Sequence, residues 1–476
     1  MKYQEKLYAG WLNTVKPALS LLGILIMLSL TACGGGSDDD GGNGPLVTNN
    51  IAQQVRLKAN NPSFENRFGA NVAMSGKTLA VGVPDEDTEG ENAGAVYVFS
   101  RSGSDWVLDD MLTAENAEAG DLFGTSVALS GDTLVVGAPY EDGGRLSTLA
   151  KNNNALTDSG AVYVFTRTGS VWKPEALLKA KDNADPNDHF GESVALFGNT
   201  LVVGAPDENG VNHARTSAGA VYVFTGSGAD WSESDFLRSS NNQAGDRFGS
   251  RVAVDSNTLA VAALGEDGDD GGSEDDSGAV YVFIRDNDGK WPEQQRIKVD
   301  NVDENDQFGF SVALSNDTLA VGVVGEDGDA NSSEASVNEG ATDAGAVYVF
   351  TRSGEIWSQQ AYVKAGNAEA EDGFGTSVAL SGDTLVIGAP REDGDAKSTA
   401  ANPNDKTTDA GAAYIFTRDD GIWSQQSYLK ADNAGASDQF GTSVVLSANT
   451  AAVGAPNEDG DDDGSTENAG AAYIFQ

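Results

Sequence analysis

A Phe-Gly pair that returns seven times, four short apolar runs after each return, and matching strands left over at the two ends predict an all-β protein. The architecture they imply is a seven-bladed β-propeller of four-stranded antiparallel blades, closed by an N-terminal strand that completes the last blade. Taken in chain order, the elements divide into a leader (residues 1–32), a tether (33–50) and the propeller (51–476).

The leader reads as a processing segment. Lys2, Lys6 and Lys16 give it a basic start, and the apolar stretch Ala18–Leu30 is too short for a comfortable membrane span. It ends in Leu30-Thr31-Ala32-Cys33, which resembles a bacterial lipobox, in which the cysteine becomes the lipidated first residue. Cys33 is the only cysteine of the sequence, so an intrachain disulfide is excluded. Gly34–Asn50 offers almost nothing to bury and is expected to act as a coil of about 20–25 Å. Gly34 after the cysteine, with no Asp there, points by resemblance to lipoproteins toward the outer membrane.

The Phe-Gly pairs start at Phe68, Phe123, Phe190, Phe248, Phe308, Phe374 and Phe440, 55 to 67 residues apart. In the second copy the apolar runs are Ser126–Ser130, Thr133–Pro139, Gly160–Phe165 and Trp172–Ala180. They are rich in Val, Leu, Tyr and Phe and bounded by Gly, Asp, Asn and Ser, as strands are. No run is long enough for a helical repeat. Gly160–Phe165 is apolar on both faces, so its sheet is expected to be covered on both sides. The last copy stops at Gln476 after its third run, and a run of fourth-strand form, Ile51–Ala59, precedes the first copy. Pairing of the two ends closes the ring without a bare edge.

A Phe-Gly followed some fifteen residues later by Gly-Ala-Pro, as in Phe123-Gly124 with Gly137-Ala138-Pro139 and Phe374-Gly375 with Gly388-Ala389-Pro390, resembles the FG-GAP repeat of integrin α-subunit propellers and many bacterial surface proteins. The resemblance implies a propeller whose loop face meets partners. It also implies a calcium loop between the Phe-Gly and Gly-Ala-Pro strands. Here only four residues, such as Ser130–Thr133, occupy that place, too few to wrap a cation that needs six to eight oxygens.

Composition narrows the function classes. Lys+Arg number 29 against 73 Asp+Glu, a formal net charge of −44, which argues against nucleic acid and against direct contact with anionic lipid. The loops between second and third strands are long, variable and acidic, and a Glu-Asp pair opens them: Glu86-Asp87, Glu141-Asp142, Glu266-Asp267, Glu326-Asp327, Glu392-Asp393 and Glu458-Asp459, with Glu208-Asn209 as the variant. Asp269, Asp329, Asp395 and Asp461 follow in four of them, with Asp270 and Asp463 nearby. Carboxylates around a Gly turn suit a hard cation such as calcium or magnesium. The other reading is a solvated acidic loop whose Asp and Gly make turns.

Asp121, Asp188, Asp246, Asp306, Asp372 and Asp438 sit two residues before each Phe, with Asn66 in the first copy, and are expected to bond backbone N–H groups. Trp106, Trp172, Trp231, Trp291, Trp357 and Trp423 share one position and are expected to pack the outer strand rather than stack sugars. His189 and His213 are the only histidines, and no nucleophile elbow or phosphate loop is present. The expectation is a monomeric, lipid-anchored envelope protein that binds a protein or glycan through its acidic loop face, with or without calcium. A polysaccharide hydrolase or lyase using paired carboxylates and a structural envelope component stay open.

Overall fold

Each repeat alternates β-branched and aromatic stretches with Gly-Asp-Asn punctuation, and each stretch becomes a strand. The computed structural model describes residues 51–61, 63, 65–143, 156–180, 184–209, 215–267, 276–299, 303–329, 340–396, 406–459 and 467–476. The leader, Cys33, the tether, His213, Asp269, Asp270, Asp461 and Asp463 lie outside the described residues.

Numbering blades by their Phe-Gly pair, blade two is the meander β6 (Ser126–Ser130), β7 (Thr133–Ala138), β8 (Ala161–Thr168) and β9 (Val171–Leu178). Its neighbours are antiparallel, with Ser126 opposite Gly137 and Val136 opposite Tyr163. The described residues form seven such four-stranded sheets. The strands equivalent to β6 touch one another around the axis: β2 (Asn71–Ser75), β10 (Ser193–Phe197), β14 (Phe248–Asp255), β18 (Ser311–Ser315), β22 (Ser377–Ser381) and β26 (Ser443–Ser447).

The seventh sheet takes its outer strand from the other end of the chain. Its order is β26, β27 (Thr450–Ala455), β28 (Ala471–Phe475) and β1 (Gln53–Leu57), with Val55 opposite Ile474 and Leu57 opposite Ala472. The Ser443 hydroxyl donates to the Gly69 carbonyl at 2.8 Å, which ties blade seven to blade one.

The Phe of each pair fills the gap between blades. Phe123 is fully buried among Val96 and Val98 of blade one and meets Tyr163 and Phe165 edge-on, ring centres 5.3 and 6.0 Å apart. Burying such a ring stabilises by about 1.5–3 kcal/mol, and each edge-to-face pair adds roughly 0.5–1.5. The Gly of Gly-Ala-Pro forms the seam: a Cβ on Gly137 would lie 2.1 Å from the Gly191 carbonyl oxygen of the next blade. Side chains are excluded there because two backbones touch.

Prolines mark the irregular outer strands. Pro174 lies opposite Phe165, where the ladder slips by one residue, an edge position that does not need its N–H. In blade four the outer strand β17 (Glu293–Ile297) begins only after Trp291-Pro292, whereas its counterpart β9 begins before its Trp. The tryptophans sit on or beside these outer strands. Trp106, Trp172, Trp291 and Trp357 are buried, and Trp172, Trp357 and Trp423 lie under Arg167, Arg352 and Arg418 at 5.1–5.4 Å. Their position is that of packing residues.

Candidate functional site: the loop face and the axial cavity

The loops between second and third strands leave the drum from a repeated clamp. The second residue of each acidic pair accepts a backbone N–H from the far end of its own loop: Asp142 from Asp158 at 2.8 Å, Asp327 from Asp343 at 2.8 Å and Asp393 from Asp409 at 2.8 Å. Asp87, Asp267 and Asp459 do the same with Asn92, Asp276 and Asn468 at 2.7, 3.0 and 3.2 Å, and Asn209 does so with Ser217 at 3.3 Å. The donor residue is left-handed in all seven, φ from 49° to 56°, a conformation that Asn and Asp tolerate better than most residues. The clamp closes whether 4 residues lie between its ends, as in blade one, or 15, as in blade two.

The first residue of each pair turns inward. Glu86, Glu141, Glu208, Glu266, Glu326, Glu392 and Glu458 are at most 3% exposed. In blade six Lys430 Nζ donates to Glu392 Oε2 at 2.7 Å, while the Tyr428 hydroxyl and Asn367 Nδ2 donate to Oε1 at 2.7 and 3.1 Å. Burial pushes the Glu392 carboxyl up and the Lys430 ammonium down, each opposed by the other's charge. Lys179 holds Glu141, Arg238 holds Glu208 at 2.7 Å, and Arg296 and Lys298 hold Glu266 at 3.1 and 3.2 Å. In the closing blade Arg56 and Lys58, in and just after β1, hold Glu458 at 3.1 and 2.8 Å. The first residues of the acidic pairs are therefore interior anchors, not ligands displayed on the surface.

Among the described residues, blades one and five show no ion pair to this inward glutamate: in blade five Glu326 accepts from the Tyr348 and Tyr362 hydroxyls at 3.0 and 3.1 Å while Lys364 Nζ donates to the Gly345 carbonyl, and blade one has no cation at that position at all. Thr113 stands where blade two has Lys179, and Glu86 is held by neutral donors: Asn66 Nδ2 at 2.6 Å and Asn61 Nδ2 at 3.3 Å. Asn66 replaces the Asp of the other blades because an acid there would face Glu86 without a cation. Elsewhere that Asp accepts a backbone N–H three residues upstream, as Asp121 does from Glu118 and Asp188 from Asp185, at 2.8 and 2.7 Å. Burial pushes Asp121 up to about 7 and Asp188, Asp306 and Asp372 up to about 8, against those N–H groups.

The acids offered to a cation are thus divided. Glu266, Glu326, Glu392 and Glu458 lie in the interior, and Asp267, Asp327, Asp393 and Asp459 close loops, while Asp329 and Asp395 lie in the loop beyond. Among the described residues no group of three or more His, Cys, Asp or Glu is arranged to hold a metal ion. The place of the integrin-type calcium loop is a two-residue turn, Gly131-Asp132 between β6 and β7, which does not fit a cation's oxygen shell.

The asparagines that bridge Glu to Tyr were not anticipated from sequence. Asn116 donates to Glu141 at 3.1 Å and accepts from the Tyr163 hydroxyl at 2.9 Å, and Asn61, Asn367 and Asn433 repeat the pattern. The signal was present, since an Asn stands seven residues before every Phe-Gly pair.

At the ends of the inner strands nearest the loop face lies an axial cavity of about 450 Å³. A valine from every inner strand, Val72 through Val444, contributes to its wall. Beside that layer, serine hydroxyls link successive blades, Ser126 donating to Gly191 O and Ser193 to Gly249 O at 2.7 and 2.8 Å. Two blades depart from this ring: in blade one Asn71 stands at the serine position, its Nδ2 donating to the Thr125 carbonyl at 3.1 Å, and blade four departs further. Arg251 replaces the serine and Ala262 replaces the glycine opposite it, at a bulge in β14. A serine hydroxyl would not fit there, because Ser126 Oγ lies 2.3 Å from where a Cβ on Gly137 would be. Arg251 Nη1 donates to the Ser250 carbonyl at 2.7 Å, and its guanidinium lies 5.6 Å from the centre of the Phe310 ring. Glu192, from the neighbouring blade, also lines the cavity.

A closed ring of seven four-stranded sheets with all its variable loops on one face defines a β-propeller of the kind typical of binding proteins. The FG-GAP repeat model matches seven times, at residues 51–99, 106–165, 172–224, 231–283, 291–350, 357–416 and 423–475, and the chain belongs to that family. Most matches start in the outer strand of one blade and end in the third strand of the next, so the sequence repeat is offset from the blade by one strand.

Proposed function

We propose that this propeller is a bacterial envelope-anchored binding protein, held to the outer membrane through a lipid on Cys33, that recognises a protein or a glycan with its acidic loop face. The clamp carries the reading: loops of unequal length leave equivalent, rigid points of one face, so the contact surface varies while the scaffold does not. The formal charge of −44 directs that face toward neutral or basic partners. Any part played by calcium rests on Asp329, Asp395 and the acids outside the described residues, because the glutamates are engaged within the blades.

The test is a glycan and matrix-protein array probed with the purified full-length chain, beside a variant whose blade-two loop is replaced by that of blade one. Binding that falls in the variant supports the reading. Absence of any binding together with turnover of a polysaccharide defeats it. The anchor is tested by fatty-acid labelling, which the C33A change must abolish. A calcium titration followed by melting temperature tests the cation, and an unchanged melt at millimolar calcium removes it.

A further inference from the structure

We infer that the axial cavity is a second binding site, separate from the loop face, for a polyhydroxylated monocarboxylate of sugar size, the chemistry of a uronic acid. Its volume of about 450 Å³ lies within the range of small-ligand pockets, roughly 300–1,000 Å³.

The donor and acceptor census of the wall selects the ligand. The serine hydroxyls at 126, 193, 311, 377 and 443 each donate to a glycine carbonyl of the next blade, at 2.7–2.8 Å. The threonine hydroxyls at 125, 376 and 442 donate to carbonyls three residues upstream, at 2.7–2.8 Å. The backbone N–H two residues after each Phe is likewise engaged in all seven blades. A hydroxyl that has committed its proton presents only lone pairs. Apart from the Asn71 amide, whose Nδ2 donates to the Thr125 carbonyl at 3.1 Å, the wall therefore accepts hydrogen bonds, Glu192 included, and a ligand has to bring several donors.

Arg251 is the charged exception. It is the one cationic residue among those lining the cavity, and it makes no ion pair among the described residues. Its hydrogen bond among the described residues engages Nη1 alone, so the other donors of the guanidinium fork are open to a carboxylate. Phe310 supplies an apolar surface next to it. The surrounding negative charge disfavours a multiply charged anion, so one carboxylate with many hydroxyls is the matching composition.

Calorimetric titration of the purified full-length chain with D-glucuronate and D-galacturonate, against D-glucose, D-galactose and acetate, tests this. The uronates should bind, with the neutral hexoses and acetate each weaker by roughly 10-fold or more. R251M, which keeps an unbranched apolar stem but lacks the guanidinium, should lose uronate affinity by roughly 10- to 100-fold with its melt unchanged. F310T, the residue of blades two, six and seven, should weaken binding less. Uronates that fail to bind at tens of millimolar, hexoses or acetate that bind equally well, or an R251M chain that binds like the wild type would each overturn the inference. Should R251M not fold, the comparison of ligands on the unaltered chain decides by itself.

Discussion

Replacing Lys430 by Met isolates the energetics of the inward glutamates. Lys430 and Glu392 side chains are 4% and 3% exposed and 2.7 Å apart. Met keeps an unbranched apolar stem but removes the ammonium, whose nitrogen lies 6.0 Å from the centre of the Tyr428 ring. Glu392 is left with the Tyr428 hydroxyl and the Asn367 amide, as Glu86 is held by neutral groups in blade one, but without the compensating asparagine, because Asp372 stands where Asn66 does. Breaking a buried pair in this way costs about 3–5 kcal/mol. With an unfolding entropy of about 2.1 cal/mol/K per residue over roughly 420 residues, the melting temperature should drop by about 3–6 °C. The K430M/E392Q double variant should recover much of the loss, since no uncompensated charge is then buried. Circular dichroism melts and urea midpoints of wild type, both single variants and the double variant complete the cycle. The K430M loss should also shrink toward pH 5, because burial already raises the Glu392 carboxyl and protonation relieves it. A K430M chain within about 0.5 kcal/mol of wild type, or a double variant no better than the single, would refute the argument.

Three further outcomes are expected. Deleting residues 51–59 removes the outer strand of blade seven and both cations of Glu458, so the melting temperature should fall further than in K430M; an equal melt would contradict closure through β1. Burial lifts Asp188, Asp306 and Asp372 to about 8, so the folded chain binds protons more tightly than the unfolded one; the stability they contribute is complete below about pH 4 and is lost as pH rises through 8. Melting temperature should therefore climb from pH 8.5 to pH 6, more gently in D188N, and a decline over that range would reverse the assignment. Substituting residues 88–91 for residues 143–157 keeps both ends of the clamp, so the melt should stay within a degree or two, whereas D142A should lower the free energy of unfolding by about 1 kcal/mol.

The drum was legible in the sequence because its signals are local and repeated. Runs such as Ala161–Phe165 declare a buried strand, and the stray strand at Gln53–Leu57 has an evident vacancy to fill. The role of the glutamates was not legible. Glu141 followed by Asp142 and Gly143 looks like solvent-facing turn chemistry, and its cation, Lys179, is 38 residues away at the end of another strand. Only the meander, which returns the outer strand to the base of the loop, brings them together. The change at blade four was visible as a lapse in the repeat, Ala262 for Gly, but its meaning needed the register that sets Ala262 against Arg251 on the axis.

The bond between β1 and β28 also sets an order of events. Gln53 pairs with Phe475, so the first strand of the propeller to leave the ribosome waits for the last strand of the propeller. Until then six finished blades form an arc with two raw flanks, each able to recruit a foreign strand. Synthesis and completion of this molecule are therefore separate moments, and a chain cut short by a few residues at its tail would persist as a half-zipped crescent rather than as a slightly smaller wheel.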